Sequence, residues 1–219
     1  MARWKHGVPG SAELHDAKRE AVLREASASF KARGYHGTSM DDIAQRLDVT
    51  KPALYYYFPG KQAMLRACFD QSMQAAFATL ARARREGRNG REKLRMALDA
   101  LLDEFLGEHS VAITVLEEGS LSEEDFAAVR AERRRYERAL RGLVREGIRD
   151  GSIVACDPKA AVLAMLGAIS WTQRWYRANG AWSREQARTL VGDLLERMVS
   201  SEPAPRLQAA GRRRGKSGA

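Results

Sequence analysis

Apolar residues recur along most of the chain at spacings of three and four, the period of a helix with one face turned inward. Val22, Ala26 and Phe30 lie four apart, and Gly34 follows where such a helix would stop, which predicts a helix over 15–33. Two short helices are expected at 39–47 and 50–58, joined by Asp48 and Val49, and a longer one at 61–86 that the GRNG at 87–90 breaks. Further helices are predicted at 91–106, 122–150, 158–179 and 183–200, with a short apolar segment at 111–116. Ser122 with Asp125, Asp157 with Pro158, and Ser183 with Gln186 supply their N-terminal caps. No stretch shows sustained strand alternation with turn signals, so the fold class is all-α. In the last two helices Val162, Met165, Leu166 and Ile169, and then Ala187, Leu190, Val191, Leu194, Leu195 and Met198, form apolar stripes. Such stripes either fill the core or pair with a second copy, making a homodimer through the last two helices.

Two short helices, a tight turn and a preceding helix to pack on make a helix-turn-helix. Thr38 or Ser39 can cap the first short helix, Asp41 and Asp42 suit its first turn, and Ile43, Ala44 and Leu47 form its buried face. Asp48 stands where the chain should turn left-handed. Thr50 caps the second short helix, and Pro52 lies in its first turn, where it breaks no hydrogen bond. Leu54 and Phe58 are four apart and mark its core face. From Leu54, Tyr55 lies about 100° round, Tyr56 about 200° and Tyr57 about 300°. Tyr56 therefore points farthest outward, and Tyr57 straddles the edge of the core. The face of Lys51, Pro52, Ala53, Tyr55 and Tyr56 suits a DNA major groove, where phenols bond phosphates and pack on thymine methyls. Lys61 can reach a phosphate. On spacing alone, a helical hairpin whose aromatics bind a protein partner stays open beside the DNA reading.

Charge is distributed in a way that favours neither reading alone. The net charge of +9 falls at the two ends. Residues 1–61 carry 10 Lys/Arg against 7 Asp/Glu, residues 62–202 carry 22 against 21, and residues 203–219 carry 5 against none. A basic end attracts nucleic acid or simply aids solubility. Two cysteines, Cys68 and Cys156, offer no disulfide framework, and no apolar run reaches the ~20 residues of a membrane span. The expected compartment is the cytoplasm, with no membrane partner.

The segment from about Ala17 to Ala67 resembles the DNA-binding domain of the TetR/AcrR family of bacterial transcription regulators. The matching residues are Phe30, Gly34, Tyr35, Gly37, Thr38, Ser39, Ile43, Ala44, Leu47, Val49, Leu54, Tyr55, Tyr57, Phe58, Lys61 and Leu65, in order and without a gap. The resemblance implies a DNA operator as partner, with Thr38 and Lys61 on phosphates. It puts Lys51, Ala53, Tyr55 and Tyr56 in the groove and Tyr57 at its edge. Ser39, Thr50 and Pro52, at the starts of the two short helices, complete the candidate DNA-binding set. Asp48 replaces the commoner turn glycine and Pro52-Ala53 a commoner small polar pair, so no operator sequence carries over. The implied organisation is an arm at 1–11, a helix-turn-helix domain at 12–60, a ligand-binding and dimerisation domain at 61–202, and a basic tail at 203–219.

The stretch ISWTQRWYRANGAWS at 169–183 is similar to a segment of family members that respond to acyl-CoA thioesters. Trp171 and Trp175, with Arg174 and Arg177 beside them, would then bind an effector with an apolar chain and an anionic head. The two tryptophans equally suit a core or a dimer interface. The implied function is a ligand-responsive repressor on a palindromic operator, with a constitutive DNA-binding dimer, and behind it an enzyme acting on acyl-CoA, as the alternatives.

Enzyme chemistry finds little support. GRRRGKS at 211–217 fails as a phosphate loop because Ala210 stands where the first glycine belongs. No nucleophile elbow, zinc-protease motif or cofactor fingerprint is present. Asp103, Glu104, Glu108, His109 and Glu117 match no metal-ligand spacing and read as a charged helix face.

Overall fold

The computed structural model describes residues 11–107 and 120–200. Among them are eight α-helices and no strand. They are α1 (Ser11–Arg33), α2 (Met40–Arg46), α3 (Lys51–Tyr57), α4 (Lys61–Glu86), α5 (Gly90–Leu106), α6 (Glu123–Asp150), α7 (Pro158–Trp175) and α8 (Arg184–Arg197). The expected segment at 111–116, the basic tail, and Glu108, His109 and Glu117 lie outside the described residues.

Local chemistry sets most boundaries. Ser39 accepts from the backbone of Asp42, whose carboxylate takes the Ser39 N–H in return, closing a capping box on α2. Ser183 and Gln186 do the same for α8. Asp157 caps α7, and Pro158 fills its first turn. Asp48 has φ 54°, the left-handed conformation that its short side chain tolerates between α2 and α3. Helix α7 departs from expectation by ending at Trp175 rather than near Asn179. The Thr172 hydroxyl donates to the Ile169 carbonyl at 2.6 Å, a back-bond that loosens a final turn. The chain then turns through Arg177–Gly180 towards Ser183.

Helix α5 is the hub, packed against α4, α6, α7 and α8. Leu94, Leu98, Leu101 and Leu102 bury its inward face. Polar braces close the outside: Arg95 pairs with Asp99, Asp193 and Glu196, tying α5 to α8. Helices α1, α2 and α3 form a smaller head on α4, cored by Leu23, Phe30, Ile43, Leu54 and Phe58. No helix among the described residues is long and apolar enough to cross a membrane.

Candidate functional site

On the head, α3 is short and anchored by a single fully buried residue of its own, Leu54, with Phe58 at its C-cap also buried. That leaves the rest of its surface outside. Tyr56 is 73% exposed and Tyr55 47%, so the outermost phenol stands where the helical angle puts it. Tyr57 is half-buried and meets Tyr56 edge-on at 5.0 Å between ring centroids. Lys51 and Pro52 are exposed, as are Ser39 and Thr50, while Ala53 is half-buried. Thr50 sits at the N-cap without a side-chain cap bond, so its hydroxyl is not spent on the helix. Lys51 reaches back to Asp41 on α2 at 2.8 Å, which raises its pKa and fixes the two short helices against each other.

Two residues expected at phosphates are instead working inside the fold. Thr38 is buried, and its single hydroxyl proton is shared between the carbonyls of Gly34 (2.9 Å) and Ser29 (3.1 Å). These acceptors lie in the last turns of α1 and just past its end, so the bond ties Thr38 to that terminus. Lys61 donates to the carbonyls of Tyr35 and Thr38, both at 2.8 Å, with its ammonium 4.1 Å from the Tyr35 ring centroid. It therefore clamps the α1–α2 turn to the start of α4, with two of three donors committed. A Thr38→Val variant is expected to lose about 1–2 kcal/mol of stability. Its affinity for non-specific DNA should be unchanged; a loss there in a folded variant would restore Thr38 to a phosphate. Sequence reasoning also missed His15 on α1. Its ring lies 5.7 Å from that of Tyr56 and 5.0 Å from that of Tyr57, so it helps hold the phenols. The only signal for it was its place near the start of a helix packed on the head.

The second feature is a cavity of about 530 Å³ between α4, α5, α6 and α7. Its size fits a small molecule. Met73, Ala76, Leu101, Phe105, Leu163 and Leu166 give it apolar walls, and Tyr136, Glu104 and Arg133 supply polar groups. Burial pushes the Tyr136 phenol above its ordinary pKa, so it stays protonated. None of Trp171, Arg174, Trp175 and Arg177 lines this space. Trp171 is 64% exposed and Trp175 38%, with Trp182 meeting Trp175 edge-on at 5.7 Å. Arg174 is exposed, and so is Arg177, which lies past the end of α7 with its guanidinium on the Tyr176 carbonyl. The expected aromatic pocket is thus an outward face. Ile169, Met165 and Val162 take the inward side of α7, which turns the tryptophans away.

Comparison with known proteins bears on both features. Residues 22–68 match the family described as "Bacterial regulatory proteins, tetR family", and residues 87–199 match "Tetracyclin repressor-like, C-terminal domain". The chain is 35% identical over 88 residues to the transcriptional activator FasR of Mycolicibacterium smegmatis, a match covering 40% of each chain. It spans less than half the length of that relative. The regulator PfmR of Thermus thermophilus superposes with a TM-score of 0.71 at 31% identity, covering 83% of this chain and 99% of that one. AibR, solved with isovaleryl coenzyme A and operator DNA, superposes with a TM-score of 0.71 at 26% identity, covering 84% and 98%.

Proposed function

The chain belongs to the TetR family of bacterial regulatory proteins, and on that premise we propose that it works as a homodimeric repressor released by a small effector. Membership makes it a DNA-binding transcription regulator rather than an enzyme. The observation that carries the reading is the exposed pair Tyr55 and Tyr56, held on a short helix by Leu54 and Phe58. In a major groove their phenols meet base edges and phosphates, with Lys51, Pro52, Thr50 and Ser39 around them.

Dimerisation uses the outer face of α7 and α8. Trp171, Trp175, Leu194 and Met198 are all exposed, an apolar set that one subunit leaves in water. Two-fold pairing there buries them and repeats the heads, so the operator is palindromic. Trp171 and Trp175 belong to this face, with Arg174 and Arg177 at its rim.

The effector enters the cavity. Helix α4 starts at the head, where Lys61 clamps it, and passes the cavity wall at Met73 and Ala76. A second link runs from α1: Lys31 donates to the carbonyls of Phe105 and Gly107, and Phe105 lines the cavity. A ligand that binds better when α4 and the end of α5 are displaced therefore changes the separation of the heads and releases DNA. The coenzyme A ligand of AibR makes acyl-CoA thioesters the first effectors to try. A thermal-shift screen of thioesters and free acids, followed by DNA-release assays on each hit, tests this. If nothing binds, or if bound compounds leave the DNA complex intact, the protein is a constitutive DNA-binding dimer.

A further inference from the structure

Helix α6 buries a regular stripe: Val129, Tyr136, Leu140, Leu143 and Gly147, at intervals of three, four and seven. Arg133, with Glu132 beside it, occupies that stripe between Val129 and Tyr136, where an apolar residue is expected. Its Nε and Nη2 are buried, and among the described residues no acceptor reaches them. Among the described residues no carboxylate pairs with it; it lies over the Phe69 ring, whose centroid is 5.8 Å away and which Arg66 also faces at 5.7 Å. Burial without a counter-charge pushes its pKa down to about 10, still charged at neutral pH. A buried cation left in this condition costs free energy and adds nothing to the fold.

The other ionised groups of the cavity have partners, cationic for Asp103 and Glu137 and a neutral hydroxyl for Glu104. Asp103 lies 3.7 Å from both Arg184 and Arg188. Glu137 pairs with Arg141 one turn along α6. Glu104 accepts from the Ser72 hydroxyl at 3.1 Å. Among the described residues Arg133 is the lining cation without an anion, and much of the wall is apolar.

Resting on the effector reading above, we propose that Arg133 is the specificity-determining residue of the cavity and selects effectors that carry an anionic oxygen group on an apolar body. The entering anion supplies the missing counter-charge, and the guanidinium's donors gain an acceptor, so the fold's unfavourable feature becomes ligand affinity. The anionic oxygen belongs either to the carboxylate of a free acid or to a coenzyme A phosphate.

Isothermal titration calorimetry on the full-length protein separates these cases. The probes are octanoate, decanoate and dodecanoate, the alcohol of the same length for each, and the corresponding coenzyme A thioesters. An anionic probe should bind about tenfold tighter than the matching alcohol, the scale of a charge-assisted hydrogen bond. Arg133→Met should remove that preference and melt no lower than the parent, since it deletes an uncompensated charge and keeps the volume. Arg133→Lys should keep part of the preference. Loss of acid affinity in the Met variant names the carboxylate; loss of thioester affinity alone names the phosphate. Equal binding of acid and alcohol to the parent overturns the Arg133 assignment and leaves the effector cavity standing. An anion preference that survives Arg133→Met overturns it as well. If no probe of any class binds, the effector cavity itself is refuted and the assignment falls with it.

Discussion

Tyr56→Ala is expected to weaken specific operator binding about ten- to hundred-fold, the range for losing a side chain that reads a base. The melting temperature should stay within about 2 °C of the parent, because a surface substitution shifts stability by only about 0.5 kcal/mol. Both halves of the expectation follow from one geometry. Tyr56 is 73% exposed, and its ring contacts are edge contacts with Tyr57 and His15, while Leu54 and Phe58 hold α3 in place. Non-specific binding should keep its salt slope, since no cation is removed. Tyr56→Phe separates the two uses of the side chain: a loss as large as that of alanine assigns the effect to the hydroxyl, and no loss assigns it to the ring. Gel-shift titrations on specific and scrambled DNA give both numbers. An unchanged affinity for specific DNA in the alanine variant would contradict the assignment of the face.

The second large effect is on stability. At Gly90, the first residue of α5, an added Cβ would lie 2.1 Å from the Gly147 nitrogen and 2.4 Å from its Cα. Two backbones touch there, so no side chain can swing aside. Gly90→Val should cost about 3 kcal/mol, the upper part of the range for overpacking. For a chain of this size that lowers the melting temperature by roughly 6–12 °C at fixed protein concentration. The contact also closes α5 against α6, the helices that carry Phe105 and Arg133 to the cavity, so effector affinity should fall too. Gly142→Ala is the control: a Cβ there meets nothing within 4 Å, and the change should stabilise α6 by about 0.5–1 kcal/mol. A Gly90→Val protein that melts with the parent would show that the two helices can part at no cost.

The features legible in the sequence are those set by a few neighbouring residues. Gly60 and Gly87 bracket α4, which runs from Lys61 to Glu86 as the pattern implies. Asp48 turns left-handed in the short link between α2 and α3, as its short polar side chain allows. The outward position of Tyr56 follows from a count of 100° steps. Features that depend on distant neighbours were not legible in this way. Thr38 and Lys61 are polar residues next to helix starts, a pattern shared by phosphate ligands and by internal clamps. Only the packing of α1 against α4 decides that they are clamps. The tryptophans at 171 and 175 share a helix face, yet periodicity cannot say which side of α7 meets the cavity. Arg133 had a local signal, a charge on a buried heptad stripe, but that signal gains meaning only when Asp103, Glu104 and Glu137 prove to be taken.

The central claim is that two copies of α3 lie in major grooves of one two-fold symmetric site. Selecting bound sequences from random DNA with the full-length protein, then footprinting the winner with hydroxyl radicals, tests it most directly. The expected winner is an inverted repeat whose half-sites are about one or more helical turns apart, with protection repeated symmetrically about the centre. Enrichment of a sequence with no inverted repeat, or no enrichment at all, would contradict it.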